Sequence, residues 1–467
     1  MRLKNRLPYL GMALVLLLLA GGVLAQVQLV VWHQEQPPHR VARWNQIAAA
    51  FNEQFPQYNV QLQVQDWDEV YRRLAAAAAA GRAPDVLFVI PDFALTVRGI
   101  NLGHPVTQLV RELDDEHTFI EAALDAYWRD GEYWAVPLYG MVQVLWYRKD
   151  MFEAEGIDRA PETWDELVDA ARRLTTADRF GIAVPAGRNL ASDQVIYSFM
   201  ITAGAQDLFD EDCNVVFDTP ETAATLALYR DLLAVSPPDA TAFAWGEPQA
   251  LLNAGLSAMA VEKGQYLQPF EEESGRPAED LGMARIPKPA VDGQDGTIYY
   301  SNAAMVLTDD AAKQEAAYAF LSYILDTDVY GDFLTAEPGL FIPVTRSGLD
   351  AEGLWSDPVV SQYREYVEEM IAYSEYGALF GFTSGIVCDA IAPISQQNLL
   401  AQTIQQMITA GLSPEEAAAW ALKGATSTPS RANQRQIAAT STLLPASEVV
   451  PATSSAPLMW SSSVGRS

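Results

Sequence analysis

The chain has 467 residues, with 60 Asp or Glu against 30 Lys or Arg, a formal net charge of −30. That length exceeds one small domain and suits two or three domains or two larger lobes, and 49% apolar residues supply an ample core. The acidity excludes nucleic acid and anionic lipid as natural partners, since both would be repelled.

Residues 1–25 read as an export signal. Arg2, Lys4 and Arg6 form a positive start, Leu10 to Leu19 an apolar run, and Val23-Leu24-Ala25 a cleavage site. Gly22 stands where a lipoprotein carries its acylated cysteine, so the expectation is a periplasmic or extracellular protein without a lipid anchor. Retention of the uncleaved segment as an anchor is the alternative. Of the two cysteines, Cys213 lies in the acidic turn DEDCN, which disfavours a reactive thiolate. Export permits a bond from Cys213 to Cys388; with 175 positions between them, the spacing leaves bonded and free states both open.

Past the signal, VQLVVW (27–32) reads as a strand and 42–55 as a helix with Trp44, Ile47, Phe51 and Phe55 on one face. Val60, Leu62 and Val64 alternate with glutamines as a second strand; the alanine block to Gly81 is helical, and DVLFVI (85–90) is a buried strand. This β-α-β-α-β order opens an α/β sheet. Thr163-Trp164-Asp165-Glu166 is a capping box. Further helices fall at 311–325 and 395–410, and strands near 135–147, 180–185, 258–262 and 298–307. Residues 426–467, rich in Ser, Thr, Pro and Ala, are expected to be disordered.

Catalytic motifs such as GxSxG, HExxH, CxxC and GxGxxG are absent from the sequence, and the four histidines (33, 39, 104, 117) are not spaced as metal ligands. No metal and no cofactor is expected. Eleven Trp and nineteen Tyr, several near strand ends, accompany abundant carboxylates and amides. Rings stack on the apolar face of a sugar while Asp, Glu and Asn bond its hydroxyls. A carboxylate pair of the glycosidase kind is set by geometry rather than spacing, so an exported glycan hydrolase is the enzyme alternative.

The order of segments resembles the extracellular solute-binding proteins of ABC importers, family 1, the sugar-binding type. VVWHQ, FNEQFPQYNVQLQ and LAAAAAAGRAPDVLFV come first. The block GEYWAVPLYGMVQVLWYRKDMFEAEGI with APETWDELVDAARRLT follows, then LLNAGLSAMAVEKGQY, IPKPAVDG, AAYAFLSYIL and GLFIPV, together spanning about 27–422. Arg148 departs from the usual Asn, and Met141 and Val89 from the carboxylate and the aromatic of maltose-type relatives.

The resemblance implies an α/β, two-lobed periplasmic-binding-protein fold of type II, hinged between lobes. Lobe 1 would hold 26–136 with a return segment near 290–345, and lobe 2 would hold 137–289 and 346–425. A sugar or oligosaccharide would bind between the lobes, closure would follow from its contacts to both, and permease subunits would receive it. The protein would be a monomer that meets the membrane only through the permease, and it would be no enzyme. Candidate ligand contacts are Trp32, His33, Glu35, Asp66 and Asp92 from the first lobe. Tyr139, Trp245, Tyr266, Asn302, and Tyr376 or Phe380 would face them. A glycerol-phosphate or polyamine solute is the alternative within the binding class; the first needs an Arg or Lys cluster, the second suits carboxylates and rings.

Overall fold

A computed structural model describes residues 26–67, 69–383 and 387–427. The expected signal segment and the tail from 428 onward lie outside those residues.

The opening β-α-β-α-β passage is present. β1 (Val27–His33), β2 (Tyr58–Val64) and β3 (Val86–Val89) are parallel in the order β2-β1-β3, linked by α1 (Pro38–Gln54) and α2 (Val70–Ala79). Pro38 opens α1, where a missing N–H costs nothing. The helix buries Trp44, Ile47, Ala48 and Phe51, a stripe of helical period. α3 (Pro91–Gly99) leaves directly from β3 and carries Asp92 in its first turn.

α4 (Thr107–His117), α5 (Glu121–Asp125) and a hairpin of β4 (Trp128–Arg129) and β5 (Glu132–Tyr133) lead into β6 (Val136–Val142). β6 pairs antiparallel with β10 (Thr297–Val306), which runs antiparallel to β3 and is buried at all ten positions. β11 (Gly377–Ala378) extends this six-stranded sheet beside the start of β10.

A second sheet places β7 (Val144–Arg148) between β8 (Met259–Glu262) and β9 (Leu281–Ala284). Five helices belong to this stretch of chain: α6 (Lys149–Ala154), α7 (Trp164–Leu174), α8 (Leu190–Ala203), α9 (Pro220–Leu233) and α10 (Glu247–Asn253), followed by a short α11 (Phe270–Ser274). The Thr163 side chain caps α7 by accepting from the Glu166 N–H at 3.3 Å. Then come α12 (Ala311–Leu325), α13 (Thr327–Leu334), α14 (Arg346–Leu349), α15 (Glu352–Ser356), α16 (Pro358–Gln362), α17 (Arg364–Tyr373), α18 (Ile391–Gln396), α19 (Leu399–Ala410) and α20 (Pro414–Ser427).

Some particulars differ from expectation. The boundary drawn between 136 and 137 falls inside β6, which is bonded to the large sheet; the chain passes to the second sheet at Gln143. α14 and α15 pack on α4 and α13, beside the large sheet rather than the small one. Residues 180–185 form only isolated parallel bridges, Phe180 to Ser257 and Ala183 to Ala260, and Pro185, which has no N–H, ends them. The helix expected at 395–410 is two helices, broken where Asn398 takes a left-handed φ of 52°. α20 runs to Ser427, into the start of the expected tail.

Cys213 and Cys388 are joined, with Cα atoms 5.6 Å apart. The bond ties the loop after α8 to the segment between β11 and α18. At another junction the two sheets approach backbone to backbone. A Cβ on Gly264, just past β8, would lie 2.0 Å from the carbonyl oxygen of Gly339, in a turn that Ile342 bonds to Gly140 of β6. Gly339 itself has φ +81°.

Two outcomes follow. Replacing both cysteines by serine frees a loop of 175 positions, and the unfolding free energy by urea titration should fall by about 2–5 kcal/mol. Gly264→Ala forces backbone apart and should cost about 1–3 kcal/mol in the same titration, whereas Gly275→Ala, where the added Cβ meets nothing within 4 Å, should cost less despite its positive φ.

Candidate functional site: a buried polar seam between two sheets

The carboxyl ends of β1 and β3, the middle of β10, the end of β8 and the start of α8 carry a share of the polar side chains that the fold buries, among them His33, Glu35, Asp92, Asn302, Glu262, Asp193 and Gln194. Ligands in open α/β sheets lie beyond the carboxyl ends of strands, and this is where unpaired polar atoms collect.

Asp92 is 2% exposed. Its Oδ2 accepts from the Ser395 hydroxyl at 2.5 Å and from Tyr71 at 3.4 Å, while Oδ1 has no partner. Burial raises its pKa, against the bond from Ser395. Asp193 on α8 is buried as deeply and accepts from the Ala401 N–H at 2.6 Å. Its pKa is pushed well above the usual range by burial, and the Asp92 charge adds to the shift. The Tyr300 hydroxyl on β10 faces both carboxylates and the side chain of Gln194. Gln194 Oε1 and Asn302 Nδ2 are buried without partners. Asn302 and Tyr300 project from the same face of β10, two residues apart. The Phe380 ring lies edge-on to Tyr197 of α8, 5.0 Å between centroids.

A second group lies nearby. Glu35 accepts from Tyr139 at 2.6 Å and from Arg40 at 2.8 Å; Arg40 and His39 both bond Glu337 at 2.5 Å. From just past β8, Lys263 is within electrostatic reach of Glu35 and Arg40. Its Nζ sits 3.8 Å from the centroid of the Trp245 ring and 3.5 Å from Glu262. Burial lowers the Lys263 pKa to about 8, although Glu262 opposes the shift. Burial also raises the pKa of Glu262, whose Oε2 is unpaired.

The predicted contacts therefore divide. Asp92 belongs to the Asp193 cluster, Asn302 shares the Tyr300 face of β10, and Phe380 packs on Tyr197 of α8. Glu35 and Tyr139 bond each other, and the Tyr139 ring packs 4.0 Å from Phe341 instead of standing open. Trp245 and Tyr266 flank Glu262 and Lys263; the Tyr266 ring is stacked on Trp146 at 5.3 Å, its hydroxyl unpaired. His33 stacks on Trp44 at 5.6 Å with both ring nitrogens unpaired. Trp32 bonds Gln63 on the edge strand. Asp66 is exposed and bonded by Gln36, and Tyr376 is 46% exposed beside Arg285. Tyr71, Asp193, Gln194, Tyr300, Lys263 and Ser395 were not anticipated. Asp193-Gln194 did carry a signal: two strongly polar residues within LASDQVIYSFMITA, a helix otherwise rich in apolar residues. Among the described residues there is no cluster of three metal-ligating side chains and no helix long and apolar enough to cross a membrane.

Two α/β lobes, each on its own sheet, with buried polar groups at the junction, define a periplasmic-binding-protein fold of the two-lobed kind. The chain matches the bacterial extracellular solute-binding protein family over residues 38–330 and belongs to it. It is 23% identical to YcjN of Escherichia coli (strain K12), whose name places it among ABC transporter periplasmic-binding proteins, over 76% of this chain and 82% of that one. An arabinooligosaccharide-binding protein of Halalkalibacterium halodurans is 27% identical over 59% of this chain and 62% of its own. The structure of maltose-bound MalE3 of T. maritima superposes with a TM-score of 0.73 at 18% identity, covering 86% of this chain and 99% of that one.

Burial lowers the His33 pKa from 6.5 to about 4, against the pull of Glu35. The unfolded chain thus takes up a proton near pH 6.5 that the folded chain accepts only near 4. Stability is intact above 6.5 and falls as pH drops toward 4, by about 3 kcal/mol from this group. Urea titrations at pH 7 and pH 4 should show a drop larger by that amount in the parent than in His33→Gln.

Proposed function

We propose that the chain is the solute-binding component of an ABC importer, acting outside the cytoplasmic membrane, and that its solute is a sugar or oligosaccharide held in the seam between the two lobes. The observation that carries this reading is the set of buried hydrogen-bonding atoms without partners, Asp92 Oδ1, Gln194 Oε1 and Asn302 Nδ2, with Tyr71 bonded to Asp92 and Tyr300 beside it. Burying such groups unpaired costs about 1–3 kcal/mol each, a cost that a polyhydroxylated guest would offset from both sides at once. Contacts made to both lobes together supply the free energy that favours the closed form. The sugar-related names of the H. halodurans and T. maritima proteins support the same class of solute.

The binding role requires only reversible association, with permease subunits as the receiver. Glu35, held by Arg40 and Tyr139, fits a positioning role at the floor of the seam better than a direct contact. A glycerol-phosphate would bring its anion to buried carboxylates and is disfavoured.

A saccharide panel read by thermal shift tests the proposal, since binding to the folded state raises the melting temperature by mass action. At least one mono- or oligosaccharide should raise it and emerge intact. Asp92→Ala, which removes a buried acceptor, should weaken that binding about 10- to 100-fold by calorimetry. A panel with no response, or release of cleaved product, would overturn the reading.

A further inference from the structure

Asp92 and Asp193 come from opposite sides of the seam, one at the head of α3 and the other in the first turns of α8. Both are at most 2% exposed. Among the described residues neither forms an ion pair with a lysine, arginine or histidine. Buried carboxylates are ordinarily paired with a cation or hydrogen-bonded on every side. Here Asp92 Oδ1 has no hydrogen-bond partner, and burial raises the pKa of both carboxyls, so ionising the two together without a cation is disfavoured.

The surroundings point the same way. The phenol of Tyr300 is influenced by Asp92, Asp193 and Tyr197; Tyr71 bonds Asp92; Tyr127 also senses Asp92. Aromatic rings gathered about carboxylates attract a cation through both charge and quadrupole. Of the unpaired atoms about the two carboxylates, Asp92 Oδ1 and Gln194 Oε1 are acceptors that need donors, while the Tyr300 hydroxyl and Asn302 Nδ2 can donate in turn to the oxygens of a guest. A sugar hydroxyl donates one hydrogen and brings no charge. A protonated primary amine donates three and supplies the positive charge beside which buried carboxyls can ionise. A uronate or a sugar phosphate would bring an anion to two acidic groups that no cation accompanies.

We propose that the solute of this seam is an amino sugar, its protonated amine seated between Asp92 and Asp193 within reach of Gln194 Oε1. The proposal rests on the reading of the seam as a saccharide site and narrows it to a nitrogen-bearing member.

The test is calorimetry on the exported chain with matched amino, N-acetylamino and hydroxyl forms of glucose, galactose and mannose, as mono- and disaccharides, with spermidine as a further ligand. The amino form of at least one series should bind at least tenfold more tightly than its hydroxyl and N-acetyl counterparts. Asp193→Asn and Asp92→Asn should each bring that ratio toward one. The comparison among ligands needs no variant, so a variant that fails to fold leaves the test intact. If a hydroxyl or N-acetyl form binds as tightly as its amino partner in every series, the amine is overturned and the saccharide site stands. If spermidine alone binds, or nothing does, the saccharide reading falls and this proposal with it.

Discussion

The arrangement of the molecule depends on one pair of residues, Gln143 and Thr297. The Thr297 hydroxyl donates to the Gln143 carbonyl at 2.7 Å and accepts from its N–H at 3.1 Å, and both residues are fully buried. Gln143 is the residue at which the chain leaves β6 for β7, and Thr297 is where it returns from the second sheet into β10. Two crossings are thus fastened side by side through backbone groups that the crossing itself leaves without ladder partners. Ser198 of α8 adds a bond to the Gln143 side chain at 2.6 Å, tying the pivot to the helix that carries Asp193 and Gln194. A displacement at the pivot is therefore felt directly by the part of the seam contributed by the second lobe.

The seam departs from the rest of the interior in its chemistry. Around it the cores are apolar and close-packed, with Trp146, Tyr229, Phe51 and Phe93 fully buried. Within it, carboxylates, amides and phenols are dehydrated and incompletely bonded. A core built for stability alone would satisfy or exclude such groups. Their concentration along the junction of two lobes, with Asp92, Asp193 and Glu262 raised and Lys263 lowered by burial, is what the proposed site would need to receive a guest at the expense of stability.

Much of the scaffold was legible from residue order because its signals are local. The stripe on α1, the capping box of α7 and the continuous apolar run of β3 each depend on near neighbours. Features that depend on distant chain were not legible. β6 reads like β7 in hydrophobicity, and only pairing with β10, more than 150 residues away, assigns it to the large sheet. The left-handed Asn398 that splits α18 from α19 looks like any polar helical residue. The disulfide joins two segments whose sequences say nothing of each other. Among the residues proposed for the site, the burial of Asp92 beside the sheet was readable from its place after a strand. Tyr139 misled, because an aromatic at a strand end serves equally to fill a core, and Phe341 and Glu35 claim its ring and hydroxyl. Ser395 gave no sign, being one of many serines until the fold seats it on Asp92.

The contact of Gly264 with Gly339 explains why the lobes meet so closely that the seam is dehydrated at all. With any side chain at position 264, the turn after β8 would stand off from residues 337–341, and the Lys263 ammonium would separate from the Glu35–Arg40–Glu337 network it now senses. Water entering that gap would raise the local dielectric and weaken every charge interaction along the junction. The absence of a side chain at that position is therefore an electrostatic determinant as much as a steric one. It lets the two lobes exclude solvent from the polar groups at their junction.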